Sequence, residues 1–157
     1  MGSKKRTAYD ELVIELAALL ADESDLIANT ANMAALLYHH LPELNWAGFY
    51  FTKAGELVLG PFQGQPACVR IAWGDGVCGA AAARGEAIVV PDVEAFPGHI
   101  ACDPVSRSEL VVPLISAGRV VGVLDLDSPR HGRFDEEDRE GCERLVSVLL
   151  THHPEWG

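Results

Sequence analysis

Residues 108–128, SELVVPLISAGRVVGVLDLDS, restrict the possible fold more than any other part of the sequence. Two apolar, β-branched runs flank the dipeptide Ala117–Gly118, a pattern that is typical of two strands joined by a tight turn. The runs NWAGFYF at 45–51 and ELVLG at 56–60 flank the turn sequence KAG in the same way. Because each hairpin pairs its strands antiparallel, the sequence predicts a mostly antiparallel sheet.

Helical segments precede, interrupt and follow these strands. Apolar residues recur at helical spacing over much of residues 9–40, which predicts two N-terminal helices separated by a break at Asp22–Ser24. The stretch GDGVCGAAAARGE predicts a short helix that ends near Gly85. A closing helix is predicted over 135–152, with acidic residues in its first turn that suit the helix dipole. Further strands are predicted at 67–73 and 87–91.

The alternation of strands and helices predicts an α+β fold, a central antiparallel sheet with helices packed on it. The length of 157 residues suits one domain, so we expect a single domain over 1–157, with the sheet and its functional loops over 45–127. The net charge of −11 argues against nucleic acid as a partner, because phosphates require a basic surface.

The first twenty residues resemble a signal peptide in having basic residues before an apolar stretch. Asp10, Glu11 and Glu15 interrupt that stretch at helical spacing, which favours an amphipathic helix instead. Since no apolar run is long enough to span a membrane, we expect a cytoplasmic protein without a membrane partner.

Cys102 and Cys78 are the cysteines whose settings favour reactivity. Cys102 lies in the long polar loop 92–107, where a cysteine is rarely a core residue, and His99 is close enough in sequence to stabilise a thiolate. Cys78 lies at the start of a predicted helix, where the dipole should lower the pKa of its thiol. The alternative for Cys78 is a small residue that packs the start of the helix.

The other two cysteines fit structural roles better. Cys68 is predicted to lie in a strand on one face with Arg70, which favours a half-buried packing residue unless another cysteine lies opposite. Cys142 shares a helix face with Leu145 and Leu149, which favours core or interface packing. No CxxC motif or zinc-type Cys/His cluster is present, so we expect no metal.

Three acidic residues converge on one end of the predicted sheet. Asp125 and Asp127 are two residues apart in a strand and therefore point to the same face, while Glu109 begins the neighbouring strand. Carboxylates on one face repel each other unless a cation lies between them, and that cation could be a metal, an Arg or Lys, or a ligand's ammonium group. The alternative is that all three are solvated.

Several longer motifs resemble the free methionine-R-sulfoxide reductases, a family built on the GAF domain. The resemblance runs from about Leu44 to Leu145, and the preceding helices also fit. The motifs, in chain order, are NWAGFYF, LGPFQGQPACVRI, GVCG, VPDVEAFPGHIACD, SELVVPL, GVLDLDSP and RFDEED.

This resemblance implies a GAF fold, a homodimer and reduction of free methionine-R-sulfoxide by thiol chemistry without a cofactor. It implies that Cys102 is the nucleophile, that Cys68 and Cys78 are resolving cysteines, and that thioredoxin regenerates the enzyme. Cys142 lies outside the family's motifs. The substrate-binding positions that the resemblance implies are Trp46, Tyr50, Glu109, Asp125 and Asp127, with Glu109 also as a catalytic acid.

Sulfur chemistry explains why such a site needs these residue types. A thiolate attacks the sulfoxide sulfur, a carboxylic acid protonates the departing oxygen, and a second thiol converts the resulting sulfenic acid to a disulfide. Two alternatives remain at this point: a GAF module that only binds a small molecule, and a metal site on Asp125 and Asp127.

Overall fold

The structure is a computed structural model that describes residues 3–156. One six-stranded antiparallel sheet forms its centre, with strand order β3-β2-β1-β6-β5-β4. The predicted α+β class with a central antiparallel sheet is confirmed. The strands are β1 (Trp46–Lys53), β2 (Glu56–Gly64), β3 (Arg70–Ala72), β4 (Ile88–Val90), β5 (Ser108–Ser116) and β6 (Arg119–Ser128).

Four α-helices and one 3₁₀ turn complete the described part of the chain. The break before α2 is as predicted, and the Asp25 side chain caps that helix by accepting a hydrogen bond from the Ala28 amide at 2.8 Å. None of the helices in residues 3–156 is long and apolar enough to cross a membrane. The helices are α1 (Lys4–Leu20), α2 (Leu26–His40), α3 (Gly76–Arg84) and α4 (Glu136–His152), with the 3₁₀ turn at Val93–Ala95.

The two faces of the sheet contact different layers. Leu124 and Leu126 of β6 join the main core with side chains of α1, α2 and α4. Val123, on the opposite face of the same strand, packs with Tyr50 and with Cys78 of α3. The helices α1, α2 and α4 therefore cover one face of the sheet, while α3 and the neighbouring loops cover the other.

Both predicted hairpins have the backbone that a two-residue turn requires. Ala117 and Gly118 have φ of 52° and 74°, and Ala54 and Gly55 have φ of 51° and 80°. Positive φ at both central residues matches the right-handed twist of the flanking strands. The Ala117–Gly118 turn pairs Ser116 with Arg119, and a β-bulge beyond Ile115 then shifts the β5–β6 register by one residue, which places Glu109 directly opposite Asp127.

The strand predicted at 67–73 is present but shorter, because only Arg70–Ala72 is extended and paired. Pro66 has no amide hydrogen to donate to a ladder, and the chain from Gln65 to Cys68 lies outside the strands. Contact with β2 resumes at Val69, whose carbonyl accepts a hydrogen bond from the Leu59 amide at 2.9 Å. Cys68 therefore lies in a loop, where its carbonyl accepts a hydrogen bond from Tyr50 Oη at 2.9 Å. The expectation that Cys68 shares a strand face with Arg70 fails for the same reason.

The sequence predicted core or interface packing for Cys142, and the structure places it in the core. Cys142 is fully buried between α1 and α4, with its Sγ 3.8 Å from Tyr9 Oη. Tyr9 Oη also donates to Asp138 Oδ1 at 2.7 Å, which ties α1 to the first turn of α4. A Cβ on Gly141 would lie 2.3 Å from the Tyr9 ring, so this helix contact requires glycine.

Candidate active site

A pocket lies between the α3 face of the sheet and the loop 92–107. The ends of β1, β5 and β6 form its floor, the start of α3 forms one wall, and the loop covers it. The described residues that line it include no lysine or arginine. They do include seven of the eight predicted site residues: Trp46, Tyr50, Cys78, Cys102, Glu109, Asp125 and Asp127.

The three acidic residues lie together, as the strand alternation predicted. Glu109 and Asp127 are direct cross-strand partners on β5 and β6, and Asp125 is two residues from Asp127 on the same face. All three are buried, with exposed fractions of 7% for Glu109, 6% for Asp125 and 9% for Asp127. The alternative of solvated strand-end acids is therefore wrong.

Burial and mutual repulsion disfavour ionisation of this cluster. Burial raises the pKa of Glu109 well above its ordinary value, and the neighbouring carboxylates of Asp125 and Asp127 raise it further. Burial also raises the pKa of Asp127 well above the ordinary range, with the Asp125 charge acting in the same direction. The pKa of Asp125 rises to about 6 through burial, although hydrogen bonds with Glu109 and Cys78 oppose the rise. Burial and mutual repulsion therefore favour the protonated forms of Glu109 and Asp127 to higher pH than in an exposed carboxyl group.

Asp125 also carries an oxygen whose hydrogen-bonding capacity is unused. Its Oδ1 is buried and has no hydrogen-bond partner within residues 3–156. Buried acceptors are nearly always paired, and leaving one unpaired costs about 1–3 kcal/mol. This oxygen is the position in the pocket where a donor or cation from a ligand is most favourable.

Cys78 is buried at the start of α3, and the structure reverses the expectation for its thiol. Its Sγ lies 3.9 Å from Glu109 Oε2, within the acidic cluster. Burial raises the pKa of Cys78 well above its ordinary value, and the charges of Asp125 and Glu109 raise it further. The predicted lowering by the helix dipole was wrong, because desolvation and three nearby carboxyl groups outweigh a partial charge of roughly one half.

Cys68 and Cys102 form a disulfide that joins two loops across 34 residues of sequence. Their Cα atoms lie 5.5 Å apart. Cys68 was predicted to be a packing residue unless another cysteine lies opposite it. Cys102 lies opposite it and forms the disulfide. Cys68 was the one predicted site residue outside the pocket lining, and the disulfide links it directly to Cys102 in that lining.

The two predicted aromatic residues form one wall of the pocket. The rings of Trp46 and Tyr50 stack with centroids 6.0 Å apart, as expected for residues on one strand face. Trp46 Nε1 donates to the Gln65 carbonyl at 3.1 Å, and Tyr50 Oη donates to the Cys68 carbonyl. Both rings therefore pack against the pocket and also hold the loop that carries Cys68.

Comparison with known proteins identifies this architecture. The GAF domain family matches residues 7–149. The free methionine-R-sulfoxide reductase of Escherichia coli is 50% identical over 145 residues, which cover 92% of this chain and 88% of that protein. The Saccharomyces cerevisiae reductase of the same name is 42% identical over 153 residues, covering 92% of this chain and 85% of that protein. This chain belongs to the free methionine-R-sulfoxide reductase family, built on the GAF domain.

A solved structure of another member of the reductase family has the same fold. The free methionine-R-sulfoxide reductase of Neisseria meningitidis, in complex with its substrate, superposes with a TM-score of 0.92 at 47% identity. The match covers 97% of this chain and 92% of that chain. The resemblance stated from the motifs is therefore confirmed at the level of family and fold.

In this reductase-family chain, Asn45 holds the loop that covers the pocket, a role that was not predicted from the sequence. Its Nδ2 donates to Asp103 Oδ2 at 3.0 Å and to Ser106 Oγ at 2.9 Å, while its amide donates to the Asp127 carbonyl at 3.0 Å. Asn45 thus joins the end of β6 to the residue that follows Cys102. Its position directly before the aromatic strand was the available signal.

His99 contacts a different group from the one expected. Its Nε2 lies 3.8 Å from Glu109 Oε1, so it faces the acidic cluster. Burial lowers the pKa of His99, which favours the neutral imidazole. The suggestion that His99 supplies positive charge to a thiolate is therefore not supported.

In this reductase-family chain, we expect Asp125→Asn to stabilise the substrate-free protein near neutral pH. The native state holds a proton on Asp125 up to about pH 6, against an ordinary value of 3.8, so stability falls as pH rises between these values. The raised pKa therefore lowers the free energy of unfolding by at most about 3 kcal/mol. This loss of stability is fully present above pH 6 and absent below about pH 4. Denaturant unfolding at acidic and at neutral pH measures it.

The exposed Asp22→Asn is the matched control and should change the free energy of unfolding little at either pH. An Asp125→Asn effect of equal size at both pH values would contradict this account of the cluster. A destabilising effect at neutral pH would contradict it as well.

Proposed function

We propose that this chain reduces free L-methionine-(R)-S-oxide to L-methionine, with Cys102 as the nucleophile. The observation that carries the proposal is that Cys102, bonded to Cys68, lines the same pocket as three buried carboxyl groups. One pocket thus combines a redox-active sulfur pair with acids suited to an ammonium group and a departing oxygen. The family membership of the chain agrees with this reaction.

In the first step, the Cys102 thiolate attacks the sulfoxide sulfur of the substrate. The sulfur–oxygen bond is lost, methionine leaves, and Cys102 becomes a sulfenic acid that carries the oxygen. The substrate is reduced by two electrons and Cys102 is oxidised by two. The reacting oxygen needs a proton during this exchange, and Glu109 is the proposed donor because burial and the neighbouring carboxylates raise its pKa and favour its protonated form.

In the second step, the Cys68 thiol attacks the sulfenic acid on Cys102. A disulfide forms and the oxygen leaves as water. The Cys68–Cys102 bond supports Cys68 as the first resolving cysteine. Cys78 remains the proposed second resolving cysteine, buried beside Glu109. An external dithiol protein, thioredoxin in a cytoplasmic setting, then reduces the disulfide by exchange.

The substrate's ammonium group is proposed to bind Asp125 and Asp127. The described pocket lining has no lysine or arginine to neutralise these carboxylates, and Asp125 Oδ1 lacks a partner. An ammonium has three donors and one positive charge, so it satisfies both requirements. Trp46 and Tyr50 offer an apolar wall for the side chain of methionine. No cofactor is needed for this chemistry.

We also propose that the chain forms a homodimer through its terminal helices. Ile14 and Leu19 of α1 and Ile27 of α2 are exposed, with exposed fractions of 71%, 43% and 57%. Light scattering of the purified chain tests this proposal, and a monomer across the micromolar range would contradict it.

The direct test of the activity is release of methionine from the free sulfoxide with dithiothreitol as the reductant. We expect turnover of the R diastereomer and little of the S diastereomer. Binding of the sulfoxide without any release of methionine would instead favour a GAF module that only senses a small molecule.

Glu109→Gln should lower kcat by about 10²-fold or more, because it removes the proton donor and keeps the side chain's size. The rate of the native enzyme should fall as pH rises through the raised pKa of Glu109, and this alkaline fall should flatten in the variant. Steady-state kinetics over a range of pH measure both effects. The control Glu94→Gln, on the exposed part of the same loop region, should leave the profile unchanged.

A Glu109→Gln enzyme with an unchanged kcat and an unchanged alkaline fall would assign the proton to another group. Asp127 is then the alternative donor, since its pKa is also raised well above the ordinary range.

A further inference from the structure

We propose that the same pocket is an inhibitory binding site for Zn²⁺, formed by Cys78, Glu109 and Asp125. One ligand atom from each of these residues lies within 4.8 Å of the others, and all three residues are buried. The inference goes beyond the proposed reduction, because the metal has no part in that reaction. Only its competition with substrate rests on the proposed function.

The distances already approach those of a zinc site. Zinc–sulfur bonds of about 2.3 Å and zinc–oxygen bonds of about 2.1 Å, in tetrahedral geometry, place the sulfur and oxygen ligands about 3.6 Å apart. Cys78 Sγ and Glu109 Oε2 lie 3.9 Å apart. Small side-chain rotations therefore suffice to bring these atoms to a common ion. Water or His99, whose Nε2 is 3.8 Å from Glu109 Oε1, can complete the tetrahedron.

An independent feature of the pocket indicates that it receives a cation. Asp125 Oδ1 is buried and has no hydrogen-bond partner within residues 3–156, and Asp125 as a whole is only 6% exposed. The described lining offers no lysine or arginine to the carboxyl cluster. A divalent ion would offset two of the three negative charges of a thiolate and two carboxylates, and it would contact the unpaired oxygen.

The sulfur atom determines which cation is preferred. Mg²⁺ and Ca²⁺ select oxygen ligands, whereas Zn²⁺ readily combines thiolate with carboxylate. On binding, Cys78 and Glu109 each release a proton to solvent, and they become thiolate and carboxylate ligands. The pocket should therefore bind Zn²⁺ or Cd²⁺ and discriminate strongly against Mg²⁺.

Occupation by zinc would block reduction in two ways. The ion would sit against Asp125, where the substrate's ammonium is proposed to bind, and it would hold Glu109 as a deprotonated ligand. We therefore expect inhibition that is competitive with free methionine sulfoxide and that a chelator reverses.

The test uses the disulfide form of the full chain, in which Cys68 and Cys102 are bonded and cannot bind metal as thiolates. Cd²⁺ is titrated in, and the ultraviolet charge-transfer band of a cadmium thiolate is recorded. We expect a band that saturates at one Cd²⁺ per chain, that excess Mg²⁺ does not reduce, and that added Zn²⁺ displaces. Free methionine should compete with Cd²⁺ for the pocket.

Variants separate the proposed ligands from their neighbours. Cys78→Ser should abolish the band, and Asp125→Asn should weaken Cd²⁺ binding by at least about tenfold, since even outer-shell changes cost 10–100-fold. The matched control Asp22→Asn should keep the band, because Asp22 is exposed and is not among the three ligands. Cys142→Ala should keep it too, because Cys142 is the other free cysteine and lies in the core on the opposite face.

A band that persists in Cys78→Ser, or that disappears in Cys142→Ala, would overturn the proposed ligand set. Absence of a band in the native disulfide form would overturn the site without any variant. If methionine binds normally while Cd²⁺ does not, only the metal inference fails. If Cd²⁺ binds but the free sulfoxide is not reduced, only the proposed function fails.

Discussion

Cys102→Ser should release no methionine when the reduced protein is mixed with free methionine-R-sulfoxide, even in a single turnover. Serine keeps the size of the side chain but is a far weaker nucleophile than a thiolate. Cys68→Ser should behave differently and release a single methionine per chain, because its loss affects only the later disulfide step. Rapid-quench measurement of methionine without a reductant distinguishes the two variants.

Cys142→Ala is the control for loss of a cysteine that lies outside the pocket. Cys142 is buried between α1 and α4, so its variant should complete single and multiple turnovers. If Cys102→Ser still releases one methionine per chain, Cys102 is at most a resolving cysteine. No methionine from Cys68→Ser would show that the order of events is different.

The surroundings of the two pocket cysteines support this assignment. Cys78 is buried against three carboxyl groups that raise the pKa of its thiol, so a thiolate there is strongly disfavoured near neutral pH. Cys102 lies in the loop that covers the pocket and is only half-buried. The loop cysteine is therefore the better attacking group, and the buried cysteine is better suited to a later exchange.

Free methionine sulfoxide should be a better substrate than its N-acetylated amide by at least about 100-fold in kcat/KM. Blocking the amino group removes the positive charge proposed to bind Asp125 and Asp127. A charge-assisted hydrogen bond is worth about 1.5–3 kcal/mol, which corresponds to about 10- to 150-fold, and a buried unpaired carboxylate adds to the loss. Steady-state kinetics on both compounds measure the ratio.

Asp125→Asn tests the same contact from the protein's side. We expect a raised KM with little change in kcat, because the bond to the ammonium exists in both the ground state and the transition state. The preference for the free amino acid should shrink in this variant and persist in the control Asp22→Asn. Comparable kcat/KM values for the free and blocked compounds in the native enzyme would end the ammonium hypothesis.

Local patterns in the sequence were enough to predict the sheet and the direction of its side chains. The period of two along 108–128 placed Asp125 and Asp127 on one face and Leu124 and Leu126 on the other, as observed. The predicted bounds of α2 and α4 match to within one residue, whereas α1 begins five residues before its predicted start at Tyr9. These features depend on neighbours in the chain, so the residues themselves determine them.

The motif resemblance predicted the family and the candidate site residues, but it did not predict how these residues are arranged in space. It named Cys68 together with Cys102, while the strand pattern alone favoured a packing role for Cys68. The reason is that their contact spans 34 residues and depends on two loops that meet above the sheet. No local periodicity encodes such a contact.

Only the tertiary structure decided the electrostatics of the pocket. From the sequence, the helix start at Cys78 predicted a lowered thiol pKa, and the acids at 109, 125 and 127 could have been solvated. Folding buries all four groups together, and the cost of desolvating a charge exceeds the effect of a helix dipole. The sequence by itself therefore determined which groups share a sheet face, while burial and long-range packing decided which of them hold their protons.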